Sequence, residues 1–528
     1  MTLSPARKNT VALAAVCLAS LMFGLEISSV PVILPTLERV LHGDFNDMQW
    51  IMNAYTIACT TVLMATATLA DRFGRKLMLT VGVVIFGLTS LLCGIAASAP
   101  ILIASRFLQG LGGGMMLICQ VAVLSHQFKE GSERIKAFGS WGIIFGIGLG
   151  FGPIIGGLIV AVSDWKWVFL VHVVLSTVTL ILVSSGVQES RDPDAGKLDL
   201  WGIVTLSLSV FGLTYLITQG PKLGFNSLAA RSIFIVSIGS FLLFLFIERK
   251  TPYPMFDFSV FRIRNFSGAL IGSAGMNFSF WPFMIYLPIF FQSALGYGTV
   301  AAGMSLLAYT LPTLVIPPIA ERLTHRYRPG VVIPCGMFTI GLGFIVMRLG
   351  STLPHTSALT MLPGCLLAGI GLGLTNTPVT NTTTGSVPGN RAGMASGIDM
   401  SARLITLAIN IALMGFILFE GILSYLRNAL PSAFDSARLH LLAEKIAAGN
   451  FASLRQIFPE LSTLDPSGVV VHAALVHGFG IVMLYGGIGA WILAAVSFVI
   501  FAPGKVTQNL PHERSLNAVV CGKQACRD

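Results

Sequence analysis

Apolar stretches of about 20 residues recur from residue 11 to residue 502, each long enough to cross a hydrocarbon core of about 30 Å as a helix. Fourteen can be delimited: 11–36, 48–70, 77–98, 100–124, 137–162, 167–187, 200–219, 231–248, 266–292, 299–320, 331–349, 357–379, 392–423 and 471–502. Backbone groups in lipid must be satisfied within the segment, so such a chain is confined to an all-α polytopic membrane fold. The charged fraction agrees: 11% of 528 residues, against about a quarter in soluble domains.

An even number of spans puts both termini on one side. With the N-terminus inside, 22 of the 33 lysines and arginines fall in cytoplasmic pieces, nine in outer pieces, and Arg106 and Arg403 within spans. Both termini are therefore expected in the cytoplasm, and the +10 net charge reads as topology and contact with lipid phosphates, not as nucleic-acid binding. No GxxxxGK[ST] and no HExxH occurs, which leaves ATP drive and that metal hydrolysis unsupported; no enzyme activity and no metal are expected.

The fifth span contains GSWGIIFGIGLGFGPIIGG at 139–157. Gly142, Gly146 and Gly150 repeat every four residues, as do Gly148, Gly152 and Gly156, and the two sets lie roughly 200° apart. Such a helix offers two close-packing faces, and Pro153, followed by Gly156 and Gly157, invites a bend. It is expected to serve as a moving joint between bundles.

The loop after the second span, Ala67-Thr68-Leu69-Ala70-Asp71-Arg72-Phe73-Gly74-Arg75-Lys76, carries one carboxylate and three cations around a turn-forming glycine. Asp71, Arg72, Gly74 and Arg75 read as an inner latch between helices. A weaker echo, Leu323 to Arg328, follows the tenth span and suggests duplicated halves. The expected organisation is a six-helix bundle at 1–190, two inserted helices with a linker at 191–264, a second six-helix bundle at 265–505, and a cytoplasmic tail at 506–528. The long outer loop 424–470 holds an amphipathic helix at 438–448, expected on the membrane surface or against a partner.

Ionisable residues inside spans are costly and read as functional. Arg106 stays charged at any accessible pH and can influence a nearby carboxylate without titrating itself. Glu26, roughly 22 Å along the first helix, could bind a proton or a cation in turn. Asp399 and Arg403 sit four apart on one helical face, either neutralising each other or leaving Asp399 a coupling role. Asn277, Trp281, Tyr286 and Asn376 are candidates for a cavity that takes a flat lipophilic ligand. His172 and Gln120 read as lone polar residues satisfied by neighbouring helices.

These residues together resemble the major facilitator superfamily, and within it the fourteen-helix drug:proton antiporters. Leu69 to Lys76 is similar to the superfamily's inner-loop motif, Arg106 with Gln109-Gly110 to its fourth-helix motif, and Gly148 to Gly157 to the fifth-helix antiporter motif. Leu25-Glu26-Ile27 through Pro35 is similar to the first-helix motif, and Trp165 to Phe169 to the sixth-helix entry. The chain departs where Ala67 replaces a usual glycine, Glu26 a usual aspartate, and His172 and Asp399 usual asparagines. Glu321 and His325 weaken the second latch. The resemblance implies two six-helix bundles plus two inserted helices in a bacterial inner membrane, exporting a small-molecule substrate in exchange for protons. The energy source would be the proton gradient with no cofactor, and a periplasmic adaptor protein is a possible partner. A dedicated exporter of one metabolite or siderophore, and a proton-coupled importer, share these motifs.

Overall fold

The computed structural model describes residues 4–128, 131–191, 199–251, 258–353, 356–387, 392–430, 435–449, 451 and 454–501; for some helical residues, Asp71 among them, only the backbone is described. Those residues form helices and connecting turns. The first group is α1 Pro5–Leu41, α2 Phe45–Phe73, α3 Arg75–Gly94, α4 Ala99–Gln127, α5 Gly131–Val162 and α6 Lys166–Gly186, followed by α7 Leu200–Leu223 and α8 Leu228–Lys250. The second group is α9 Arg264–Phe278 continued by α10 Phe280–Ile289, then α11 Thr299–Thr310, α12 Pro312–Val315 and α13 Pro317–Tyr327, then α14 Pro329–Ser351, α15 Ala358–Gly385 and α16 Ala392–Ala429. The outer segment folds as α17 Ser436–Ala447, α18 Leu454–Ile457 and α19 Leu461–Leu464, and α20 Val469–Phe501 completes the bundle. Cys521 and Cys526 of the tail lie outside the described residues.

Each expected span corresponds to a helical segment. Twelve qualify for membrane crossing on length and apolarity among the described residues, and Thr299–Val315 with Pro317–Thr324 makes a further span bent by 41° where Pro312 and Pro317 interrupt it. The remaining segment is α2, 29 residues long, whose interior carries Asn53, Thr56, Thr60 and Thr61 and is more polar for that reason. Among the described residues twelve to thirteen helices are long and apolar enough to cross a membrane, against the fourteen expected.

The neighbours of each helix repeat between the groups. In the first, α1 packs on α5 and α6, and α3 on α4 and α6; in the second, α9 packs on α16 and α20, and α14 on α15 and α20. Small residues make the closest crossings, with Gly82 facing Gly112 across α3 and α4, and Gly343 facing Gly364 across α14 and α15. The groups meet through α5 against α11 and α12, α2 against α16, and α1 against α10 and α11. The two inserted helices pack on each other, and α7 spans the seam by touching both α2 and α16. Trp50 of α2 packs at a tilt against Phe211 and Tyr215 of α7, each 5.8 Å away between ring centres.

The amphipathic helix of the outer loop corrects one expectation. Leu439, Leu442, Ala443 and Ile446 of α17 are buried against the chain's own α2, α16 and α20, so its apolar face covers the end of the bundle and not the membrane surface. Asp435 caps its first turn, accepting the Arg438 N–H at 2.8 Å, and Lys445 reaches Glu38 of α1 at 3.5 Å.

Candidate functional site

The run Gly110-Leu111-Gly112-Gly113-Gly114 determines where Arg106 sits. A side chain at Gly110 would collide with the Tyr55 backbone, and one at Gly113 with the Tyr55 hydroxyl, so α4 lies directly on α2. One turn away, Arg106 Nε donates to Ile51 O at 3.0 Å. Its Nη1 donates to Glu26 Oε1 of α1 and to Gln109 Oε1 at 2.7 Å. Gln109 is held in turn by donating to Ser90 Oγ of α3 at 2.8 Å. The guanidinium lies 4.4 Å from the centre of the Tyr55 ring, a cation–π contact.

His172 of α6 completes the cluster, its Nε2 3.1 Å from Glu26 Oε2. Phe86 presents an edge-on ring to the imidazole at 5.5 Å. Glu26 and Arg106 are fully buried and His172 is 1% exposed. Desolvating a charge here costs several kcal/mol, which close pairing and added hydrogen bonds must offset. The carboxylate thus stands between α4 and α6, in contact with both. His172 is the residue the sequence undervalues: it reads as satisfied by a neighbouring helix, whereas in the structure its Nε2 stands close to the Glu26 carboxylate without completing a hydrogen bond. Its signal was depth, since Arg106 and His172 lie seven and six residues into helices that start on the same face.

Beside Arg106 lies a cavity of about 30 Å³ between the two groups, lined by Phe23, Tyr55, Trp281, Met284 and Leu407 among others. It has room for about two waters. Of the four residues expected to line a ligand cavity, Trp281 does so. Asn277 Nδ2 donates to Ser273 O of its own helix at 2.9 Å, the Tyr286 hydroxyl donates to Ile411 O, and Asn376 Oδ1 accepts from Arg403 Nη1. None of these three is in the wall of the cavity beside Arg106.

Asp399 and Arg403 form the local ion pair, Nη2 to Oδ2 at 2.9 Å, with Arg403 Nη2 also donating to Thr380 Oγ1 of α15 at 2.9 Å. Asp399 is 1% exposed and the Arg403 side chain 11%. At the latch, the side chain of Asp71 lies outside the described residues, and Arg72 is exposed over the Phe73 ring. Gly74 has φ 124°, and a Cβ there would strike the Glu189 carboxylate. That carboxylate accepts the Lys76 and Leu77 N–H groups at 3.0 and 3.2 Å, capping the start of α3, while the Arg75 N–H donates to Ser190 O at 3.0 Å. Glu189 was not anticipated.

The glycine-rich α5 runs unbroken through Pro153. Gly148, Gly152 and Gly156 face α1, where Ser28 Oγ donates to Gly148 O at 2.9 Å. On the opposite face, Gly146 and Gly150 meet Leu314 of α12, Gly157 meets Thr299, and Thr310 Oγ1 donates to Gly150 O at 2.9 Å. Gly142 touches nothing within 4 Å, so the second face begins one turn later than its spacing implies.

Known proteins share this architecture. The family model described as Major Facilitator Superfamily matches residues 16–410. The multidrug resistance protein Stp of Mycobacterium tuberculosis is 30% identical over 83% of this chain and 82% of its own. The tetracenomycin C resistance and export protein of Streptomyces glaucescens is 27% identical over 97% of this chain and 95% of its own. Among solved structures, a bacterial homologue of the human lysosomal transporter Spinster, inward-facing and unoccupied, matches with a TM-score of 0.63 over 94% of this chain and 97% of that one. At 16% identity that is a likeness of fold. With a repeated helical bundle and a family match over most of its length, this multi-pass membrane chain belongs to the Major Facilitator Superfamily.

Proposed function

We propose that this protein exports lipophilic, cationic small molecules across a bacterial inner membrane in exchange for protons, by alternating access of its two six-helix groups. The observation that carries the reading is Glu26, buried between Arg106 and His172 beside the cavity that both groups line. The multidrug resistance and tetracenomycin export proteins it resembles support export of drug-like small molecules. A proton on Glu26 weakens its hold on Arg106; loss of that proton restores the pair or leaves the carboxylate to a cationic substrate. No cofactor enters the cycle, which the proton gradient drives.

Around that centre, Asp399 with Arg403 forms a second charged element, and α5, packed through backbone on both faces, is the joint along which the groups shift. The latch at Gly74 and Arg75, closed by Glu189, holds the first group together. The excess of basic residues in one set of loops supports cytoplasmic termini. A periplasmic adaptor would meet the polar side of α17, because its apolar side is covered.

The test is Glu26→Gln in proteoliposomes with an imposed pH gradient and ethidium as cargo. Gradient-driven efflux should vanish while the protein remains folded; efflux that persists at the wild-type rate overturns the assignment.

A further inference from the structure

Two polar atoms face each other inside the first six-helix group without a bond between them. Glu26 Oε2 of α1 and His172 Nε2 of α6 stand 3.1 Å apart, yet among the described residues neither completes a hydrogen bond, and His172 Nδ1 has no partner either. Both side chains are buried. Polar atoms in so dry a place keep their desolvation cost uncompensated unless a partner is supplied.

The groups around this pair are few. Arg106 of α4 bonds the other carboxylate oxygen, Oε1, and stays charged at any accessible pH. From α2 comes Tyr55, whose ring lies against the Arg106 guanidinium, and from α3 comes Cys93, whose thiol donates to Gln109; α5 has no ionisable residue between 137 and 162. With a neutral imidazole, the charges of Arg106 and Glu26 cancel, and one added proton makes the cluster singly positive. A second would bury two positive charges, which desolvation opposes. The first supplies the missing donor wherever it binds: on Oε2 the carboxyl O–H donates to Nε2, and on Nε2 the imidazolium donates to the carboxylate.

We propose that His172 shares the coupling proton with Glu26, the proton lying between Oε2 and Nε2 and bonding both. The inference rests on the export reading and deepens it by assigning the proton a second holder on a different helix. Without the proton, the carboxylate of α1 is bonded to α4 alone. With it, the carboxylate is also bonded to α6, so loading moves the hold on α1 from Arg106 toward His172.

Solid-state nitrogen-15 NMR of the full-length protein, labelled at its nine histidines and reconstituted in liposomes, tests it, with His172→Gln identifying the His172 signals by their loss. Between pH 8 and pH 5 the wild-type His172 nitrogens should shift as the proton joins. Glu26→Gln should move that change to lower pH by about one unit, a tenfold loss of proton affinity, because the carboxylate that holds the other side of the proton is gone. Melting temperatures report folding; should Glu26→Gln lose its fold, Glu26→Asp, which draws the carboxylate back by one methylene, takes its place. His172 signals that stay fixed across this range, or a change that the Glu26 variant does not move, overturn the shared proton. If they do so while Glu26→Gln still abolishes gradient-driven ethidium efflux, the export reading stands. If the Glu26-dependent change is present but no pH gradient drives efflux, the shared proton stands and the export reading falls.

Discussion

The two halves each bury an acid and an arginine, but they assemble them differently. In the first half Glu26 and Arg106 come from α1 and α4, 80 positions apart, and His172 of α6 joins them, so three helices converge on one carboxylate with no exposure. In the second half Asp399 and Arg403 are one turn apart on α16, and Arg403 spends its other donors on Asn376 and Thr380 of α15. A pair made across helices changes helix positions when it breaks. A pair made within one helix can break with little more than a side-chain rotation. On the export reading, breaking the pair in the first half would be the change that moves helices.

The largest effect should follow Arg106→Met. It leaves Glu26 buried with only His172 opposite, a loss of about 3–5 kcal/mol when one partner of a buried pair is removed. Gradient-driven ethidium efflux should disappear and the melting temperature in nanodiscs should fall. Efflux at wild-type rate would mean that the inter-helix pair is not the coupling element. Next comes His172→Leu, which removes the contact to Glu26 Oε2 and keeps Arg106. The contact is close but completes no hydrogen bond, so the melting temperature should drop less than with Arg106→Met and efflux should slow without ceasing. An effect as large as that of Arg106→Met would show that the histidine and not the arginine holds the carboxylate.

Much of this contrast was legible before any coordinates. Helices were legible because lipid forbids alternatives, and the two faces of α5 because spacing by four fixes a face. Glu26 and Arg106 stood out as charges where charge is costly, but nothing in a sequence aligns position 26 with position 106 or 172 across three helices. Asp399 and Arg403 were readable as a pair for the opposite reason, being neighbours on one helix. Amphipathicity identified the buried side of α17 without saying what buries it, since lipid, a partner and the chain's own bundle all accept Leu439 and Leu442. The bond that Asn277 makes to the carbonyl one turn back is open to any asparagine on a helix, so the sequence cannot tell that use from a place in a cavity wall. Glu189, beyond the end of α6, was invisible because helix capping across a loop depends on where that loop returns.

A third change tests the joint that must transmit either pair's state. Gly152→Val places a branched side chain against Ser28 and Ser29 of α1, within the first half, whereas Gly150→Val meets only the flexible end of Leu314 in the second. The first should separate α5 from α1 and abolish efflux, with a lowered melting temperature. The second should slow efflux with a smaller loss of stability, because Leu314 can rotate away. Equal effects would indicate that α5 moves against both neighbours alike, and the contrast between the halves would then not extend to their joint.

The smallest effect is expected for Asp399→Asn. The substitution keeps the shape and leaves Arg403 bonded to Asn376 and Thr380, with 11% of its side chain still exposed. Pairs of this i, i+4 kind contribute about 0.3–0.5 kcal/mol when exposed, and burial of Asp399 raises that only partly because its partner keeps other acceptors. Efflux driven by a pH gradient should remain within about twofold of wild type, and the protons exchanged per ethidium, measured by a pyranine signal inside the vesicles, should not change. If instead the proton count falls while ethidium still moves, Asp399 is a coupling group in its own right. The local pair of the second half would then be a second proton site, released by a side-chain rotation where the first is released by a helix shift.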